Sequence, residues 1–166
     1  MFESDSTEKL LHYAVGVLAR RAHSRGELEE KLLAKAKVEE VRVVLSRLEE
    51  LNLLNDERYA YNFALWRMQQ DGWGPAKALH FLLRRRVEAP LARSAVERVR
   101  HELGDTTLIQ DYLNKHWNRR AAPNDRQSIQ KLISRLQRRG FQEETIYSAL
   151  RQIIPAAAWQ RFERGD

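Results

Sequence analysis

Residues 22–32 read AHSRGELEEKL, and this stretch carries the strongest local signal in the chain. Ser24 stands three residues before Glu27, which is the spacing of a capping box, where two side chains satisfy backbone N–H groups at a helix start. Leu28 and Leu32 follow one helical turn apart and share a face. The stretch therefore predicts a capped helix with an apolar inner side.

The same pattern recurs twice further along the chain. A shift of 50 residues (74 − 24) places Gly74 on Ser24, and a further shift of 54 (136 − 82) places Leu136 on Leu82. Apolar residues occupy the matched core positions, so an internal repeat is indicated. Two unrelated helical bundles in series remain the alternative. We place three modules at residues 1–54, 55–104 and 105–155, followed by a tail at residues 156–166 that we expect to form one loose turn or to fray.

Residues typical of helix starts and ends stand between the predicted helices and support this division. Asn55 or Asp56 is placed to cap a fourth helix. Pro75 stands where a helix starts, because proline is favoured in the first helical position. Gly140 stands at a helix end and suits a left-handed C-cap.

Composition narrows the class of protein. The chain has 166 residues, with 43% hydrophobic, 31% charged, only 7 Gly and 4 Pro, which favours an all-α fold. Cysteine is absent, which excludes disulfides, thiolate zinc sites and cysteine nucleophiles. No apolar run approaches the roughly 18 residues that span a membrane, and no signal core opens the chain. We therefore expect a cytoplasmic protein with no membrane contact.

The formal net charge of +6 is unevenly placed along the sequence. Residues 1–55 sum to −1, residues 56–104 to +3 and residues 105–166 to +4. A basic C-terminal two-thirds suits contact with nucleic acid or with an acidic protein groove. A well-solvated basic surface is the plainer interpretation, and net charge does not separate the two.

Two basic clusters are the candidate partner-binding residues. The first, Arg84, Arg85 and Arg86, ends the fifth helix. The second, on the eighth helix, comprises Lys131, Arg135, Arg138 and Arg139, which recur three to four residues apart and so share an edge that should face solvent. Stabilisation of a helix C-terminus by cations is the alternative role.

One of the four tryptophans is a further candidate for partner contact. Trp66 and Trp117 lie in helical segments and are predicted to be core, as large aromatic side chains usually are. Trp73 lies beside glycines at a helix break and is the better candidate for an exposed contact, where an indole ring can stack on a base.

Catalytic patterns are missing from the sequence. The histidines are scattered, and none forms the helical pair with an intervening glutamate that a zinc protease needs. Gly72-Trp73-Gly74-Pro75 is too short for a phosphate loop. We therefore expect no enzyme activity, no metal and no cofactor.

Four segments, in the same order, resemble elements of the RecX regulatory family. Residues 22–32 resemble H-S-x2-E-L-x3-L, and residues 53–60 (LLNDERYA) resemble L-x-D-x-R-F/Y-A. Residues 72–78 (GWGPAKA) resemble G-x-G-P-x2-I, and residues 138–141 (RRGF) match the turn before a following helix. The resemblance covers about residues 14–154.

Three departures from the family pattern concern local geometry. Asn55 replaces an acidic residue, and Ala78 replaces a larger aliphatic one. The basic-Gly turn appears only at Gly140, whereas Ala36 and Arg86 occupy the corresponding positions of the first two blocks. A non-glycine residue at positive φ costs roughly 1 kcal/mol, so we expect those two turns to differ.

The resemblance implies a fold and a partner. The fold is all-α, with three tandem three-helix modules of a homeodomain-like helix-turn-helix kind in an elongated curved array. The partner is the RecA recombinase filament, with single- or double-stranded DNA as a further contact. The chain, as a monomer, would modulate and mostly inhibit strand exchange, ATP hydrolysis and coprotease activity, with roles in DNA repair, DNA recombination and the SOS response. From the residues themselves we expect the Asp56–Arg58 segment to cap and pin a module joint and to contact no partner.

Two other functions are compatible with the sequence. A direct helix-turn-helix nucleic-acid binder would read a groove with its following helix. Glu143 and Glu144 at the start of the ninth helix argue against sequence-specific reading, because phosphates would repel them. A passive helical adaptor is the other alternative.

Overall fold

The computed structural model describes residues 2–116, 123 and 125–165, and within these ranges the side chains from residue 5 onward. These residues form ten α-helices and no strand, so the all-α prediction is confirmed. None of the helices described combines the length and apolar character needed to cross a membrane. Their bounds are α1 Phe2–Arg20, α2 Arg25–Leu33, α3 Val38–Glu50, α4 Asp56–Gln69, α5 Pro75–Arg84, α6 Ala89–Leu103, α7 Asp105–His116, α8 Arg126–Arg138, α9 Glu143–Ile153 and α10 Ala156–Arg164.

The chain divides into two compact units, which are described separately. Unit 1 comprises residues 1–62 and 81–95, and unit 2 comprises residues 63–80 and 96–166. The division into three modules at residues 54 and 104 stays a prediction.

Unit 1 is built around α1, α2 and α3, which pack on one another. The capping box at the start of α2 is formed, because Ser24 accepts the N–H of Glu27 while the Glu27 side chain accepts the N–H of Ser24. Burial of the apolar sides of the three helices removes this surface from water and supplies the main stabilisation. The buried cluster is Leu10, Ala14, Leu28, Leu32, Val41, Val44, Leu45, Leu48 and Leu54.

Unit 2 contains α7, α8 and α9, with α9 packed against both other helices. Their buried side chains include Ile109, Ile129, Leu132, Ile133, Leu136, Ile146 and Leu150. Residues 156–164 form a full helix that packs on α8, where the sequence predicted a loose turn. Trp159 of this helix is buried and makes an edge contact with Tyr147, at 5.6 Å between ring centroids. The aromatic contact explains why so short a terminal helix is retained.

The turns that end α5 and α8 are both left-handed. Gly140 has φ +90°, and Arg86 has φ +59° although it carries a side chain. The expectation that the turn at Arg86 would differ is therefore wrong. In the first block Ala36 does not take a positive φ, so only that turn departs from the repeat.

Each of these turns receives the start of another helix, and we call these contacts the first and second joints. In the first joint, within unit 1, the Ser24 hydroxyl donates to the carbonyl of Arg85. In the second joint, within unit 2, the N–H of Gly74 donates to the carbonyl of Arg139 at 2.7 Å. Gly74 is the repeat equivalent of Ser24, and Arg139 that of Arg85 at the shift of 54 (139 − 85). Equivalent positions of the repeat thus meet in each unit.

Glycine is required where the helix start approaches the turn in the second joint. A Cβ added at Gly74 would lie 2.3 Å from the carbonyl carbon of Gly140, and one added at Gly140 would lie 2.5 Å from the nitrogen of Lys77. Both contacts involve backbone atoms, which cannot swing away as a side-chain end does.

Truncation of the buried leucines should show how much each unit's core contributes. Leu32→Ala in unit 1 and Leu136→Ala in unit 2 should each lower the free energy of unfolding by about 2–5 kcal/mol, since each side chain is fully buried. Leu33→Ala is the matched control, because Leu33 lies on the same helix as Leu32 and is 44% exposed. Urea denaturation midpoints unchanged by both core variants would contradict the packing described.

Insertion of one methyl group should test the second joint. Gly74→Ala forces the backbones of the joint apart and should cost about 1–3 kcal/mol, as overpacking does. Gly16→Ala is the control, because Gly16 lies in α1 with nothing within 4 Å of its added Cβ. It should stabilise the protein by up to about 1 kcal/mol through helix propensity. Equal denaturation midpoints for the two variants would contradict the close approach.

Candidate functional site

In the first joint, the Glu27 carboxylate is surrounded by hydrogen-bond donors and positive charge. Its carboxylate accepts hydrogen bonds from the backbone N–H of Ser24 at 3.3 Å and from the Arg85 guanidinium at 2.9 Å. Tyr59 donates its hydroxyl at 3.4 Å. The Glu27 side chain is only 16% exposed. Burial would raise the pKa of this carboxyl, but the Ser24 N–H and the charges of Arg85 and Arg21 outweigh it and hold the pKa below its usual value.

A second carboxylate fastens the start of α2 to α4. The N–H of Arg25 donates to Asp56 at 2.6 Å. Asn55 caps α4 by accepting the N–H of Arg58 at 2.8 Å. The Arg58 guanidinium donates to the carbonyl of Asn52 at 2.9 Å. Because Asn55 takes the capping role, Asp56 is available for Arg25.

Arginines of the first basic cluster are engaged inside unit 1. Arg85 is half-buried against Glu27, and Arg86 pairs with Glu30 at 2.9 Å. The Arg84 guanidinium lies 5.6 Å from the centroid of the Phe81 ring and is exposed. Of the three, only Arg84 is described without an acidic partner.

The second joint carries a different set of charges. Its Arg139 is half-buried, donates to the carbonyl of Asp71 and lies 4.6 Å from the Tyr112 ring centroid. The expectation that Arg139 faces solvent with Lys131 and Arg135 is therefore wrong. At the position of Glu27 in the repeat stands Lys77 (27 + 50), whose ammonium lies 4.7 Å from the Trp73 ring centroid.

A concavity of about 720 Å³ opens beside the second joint, and we call it the basic concavity. No carboxylate contributes to its lining among the residues described. The nearby Asp71 carboxylate is paired with Arg67 at 2.5 Å. The lining residues are Trp73, Lys77, Tyr112, His116, Arg135, Arg138 and Arg139.

The basic concavity brings together four of the candidate residues from the sequence: Trp73, Arg135, Arg138 and Arg139. Lys131 lines an adjoining concavity of about 280 Å³ that shares Arg135, Tyr112 and His116 with it. Arg135 and Arg138 are exposed and have no ion-pair partner in the described part of the chain.

The tryptophans depart from expectation. Trp66 was predicted to be core and is 63% exposed. Trp73 was predicted to be exposed and is half-buried, with Arg67 at 5.1 Å and Lys77 at 4.7 Å from its ring centroid. Trp117 lies outside the described residues.

Three residues of the basic concavity were missed from the sequence: Lys77, Tyr112 and His116. Lys77 could have been predicted from the sequence, because the shift of 50 aligns it with Glu27. A change of charge at a repeated position indicates a change of role. Tyr112 and His116 lie one turn apart on α7, at 4.8 Å between ring centroids, and the sequence pattern indicated structural residues on the apolar side of that helix. The described residues hold no cluster of His, Asp or Glu side chains suited to a metal ion.

Comparison with known proteins gives a consistent result. A regulatory protein RecX from Chlorobaculum tepidum is 31% identical over 147 residues, which cover 87% of this chain and 88% of the relative. One from Prosthecochloris aestuarii is 32% identical over 155 residues, covering 93% and 99%. The chain belongs to the RecX family. No protein-family model matches the chain.

Solved RecX structures share the fold. The crystal structure of RecX from Lactobacillus salivarius aligns with a TM-score of 0.76 over 90% of this chain and 97% of that one, at 21% identity. A second crystal structure of a regulatory protein RecX aligns with a TM-score of 0.70 over 89% of this chain and 72% of that one, at 18% identity. At these identities the likeness concerns the fold alone.

The RecX-like motifs of the sequence coincide with the two joints. Ser24 and Glu27 of the first motif form the capping box and contact Arg85. Asp56 of the second motif accepts the N–H of Arg25. Gly74 of the third motif contacts Arg139 of the last. Each motif therefore has a local structural role in holding a helix start on a turn or on another helix.

The charge of Glu27 should make unit 1 sensitive to acid. A carboxyl with a lowered pKa in the folded state contributes stability above its unfolded pKa, about 4.3, and that contribution is lost as pH falls through the folded pKa. Glu27→Gln should lower the unfolding free energy by about 1–3 kcal/mol at pH 7 and by less below pH 4. The exposed pair Glu30–Arg86 supplies the control, Glu30→Gln, which should change stability by under about 1 kcal/mol. A Glu27→Gln effect of the same size at pH 7 and pH 3.5 would contradict this role.

Proposed function

We propose that this chain binds the RecA–single-stranded DNA filament and inhibits its recombinase, ATPase and coprotease activities. The supporting observation is 31% and 32% identity to proteins named regulatory protein RecX, over 87% and 93% of the chain. In this proposal the chain acts in the cytoplasm by binding and not by catalysis, as a monomer without a cofactor. Its roles are in DNA repair, recombination and the SOS response.

The basic concavity is the surface that we assign to the filament. Exposed cations attract acidic side chains or phosphates and steer association, and the attraction weakens as salt screens it. Arg135 and Arg138 offer two such cations on one helix, and Lys131 extends the edge. Arg84 is a secondary candidate, since Arg85 and Arg86 already pair with glutamates.

Direct reading of a DNA groove by α9 is disfavoured. Its first turn carries Glu143 and Glu144, both exposed, and the N-cap is Gln142. Recognition helices present their first turns to base edges between two rows of phosphates. Two carboxylates at that position would be repelled, so we favour a filament regulator over an independent helix-turn-helix protein.

Charge reversal in the basic concavity should test this proposal. The Arg135→Glu, Arg138→Glu double variant should lose most inhibition of the DNA-dependent ATPase of RecA, measured with substoichiometric protein at low salt. Neither side chain pairs within the described part of the chain, so circular dichroism should be unchanged and the denaturation midpoint should not fall. Arg139 is left intact because it holds the Asp71 carbonyl.

The matched control is Arg42→Glu, Arg93→Glu. It changes the net charge equally at two exposed arginines of unit 1. The control should inhibit RecA like the parent. Full inhibition by the Arg135, Arg138 variant would remove the basic concavity from the proposal and direct attention to Arg84. Absence of inhibition by the parent protein would contradict the proposed function itself.

A further inference from the structure

In both joints a helix start donates a hydrogen bond to the carbonyl that precedes a left-handed residue, through the Ser24 hydroxyl in the first and the Gly74 N–H in the second. The electrostatics of the two joints are opposite. In the first joint the residue three positions after the helix start is Glu27, which neutralises Arg85 at 2.9 Å. In the second joint the equivalent residue is Lys77, and the equivalent arginine is Arg139. A carboxylate that neutralises a guanidinium in unit 1 has thus been replaced in unit 2 by a further cation.

Other positions of the repeat increase the positive charge of the second joint. Arg135 stands at the position of Phe81 (135 − 54), and Arg138 at the position of Arg84 (138 − 54). Four cationic side chains therefore line one concavity, together with His116. Like charges gathered in this way repel one another and oppose folding unless an anion joins them. Packing does not require them, since Phe81 fills one of the positions in unit 1.

The aromatic rings of the basic concavity make cation–π contacts with basic side chains. Arg67 and Lys77 both lie against the Trp73 ring, and Arg139 lies against Tyr112 at 4.6 Å. Cation–π contacts of this kind fix the cations in place at little cost in hydration. At least one face of each ring is therefore occupied by a cation and does not stack on a nucleobase. The concavity is therefore suited to recognise an anionic group and not a base.

We propose that the basic concavity is a phosphate-binding site, which takes two or more neighbouring phosphate groups through Lys77, Arg135 and Arg138. Guanidinium groups match phosphate oxygens with paired N–H donors, and an ammonium adds a compact charge. The volume of about 720 Å³ is of the size that holds a small ligand. The phosphates come either from a free polyphosphate chain or from a nucleic-acid backbone, and both present the same oxygens. The chemistry rests on the concavity alone, and only its use on a filament rests on the proposed function.

The test is calorimetric titration of the whole protein at low salt, with no RecA present. Inorganic tripolyphosphate should bind, and Arg135→Gln, Arg138→Gln should weaken binding at least tenfold. The control Arg42→Gln, Arg93→Gln should bind like the parent. Equal weakening in the control, or no binding by the parent, would overturn the proposal.

Lys77→Glu gives an independent arm, because it restores the charge found in the first joint. This variant should pair with Arg139, keep or raise the denaturation midpoint, and lose tripolyphosphate binding at least tenfold. Should it fail to fold, the double glutamine variant still decides the question. Parent-like binding by a folded Lys77→Glu protein would count against the site.

Two competitors identify the source of the phosphates. Displacement of tripolyphosphate by a thymidine oligonucleotide supports a backbone source, and failure to displace it supports a free polyphosphate. A decameric glutamate peptide that binds as tightly as tripolyphosphate would overturn the assignment to phosphate. Absence of phosphate binding in a protein that still inhibits RecA would contradict only this inference. Phosphate binding by a protein that does not inhibit RecA would contradict only the proposed function.

Discussion

Much of the structure depends on one type of hydrogen bond, in which the start of one helix donates to a carbonyl group at the end of another helix. Ser24 donates to Arg85 in unit 1, and Gly74 donates to Arg139 in unit 2. A carbonyl at a helix end lacks an intrahelical hydrogen-bond partner, and leaving it unpaired in the protein interior would cost free energy. A donor from another helix supplies the missing hydrogen bond. The approach is close enough that Gly74 and Gly140 admit no Cβ. This contact places the residue three positions into the helix beside an arginine.

That placement links the fold to the proposed function. Glu27 beside Arg85 gives a neutral, stabilising pair, whereas Lys77 near Arg139 gives an excess of positive charge. The equivalent position thus carries a stabilising ion pair in unit 1, and in unit 2 it contributes to the site that we propose for an anion. The segments that resemble RecX elements include residues of both joints.

Local rules were sufficient for the features that neighbouring residues decide. The capping box at Ser24, the left-handed Gly140 and the buried Leu136 all follow from spacing and residue type. Features that depend on distant contacts were not accessible. Arg139 is drawn inward by a carbonyl 68 residues away, and Arg86 takes a positive φ because its turn receives α2. Helical periodicity did not reveal that Trp66 would be left 63% exposed on its helix.

We propose that this member of the RecX family contacts the RecA filament through the basic concavity. Arginine modification followed by mass spectrometry, with and without the RecA–single-stranded DNA filament, tests it most directly. We expect the filament to protect Arg135 and Arg138 while Arg42 and Arg93, exposed in unit 1, keep their reactivity. Unchanged reactivity of Arg135 and Arg138 in a saturated complex, or protection confined to unit 1, would contradict the account.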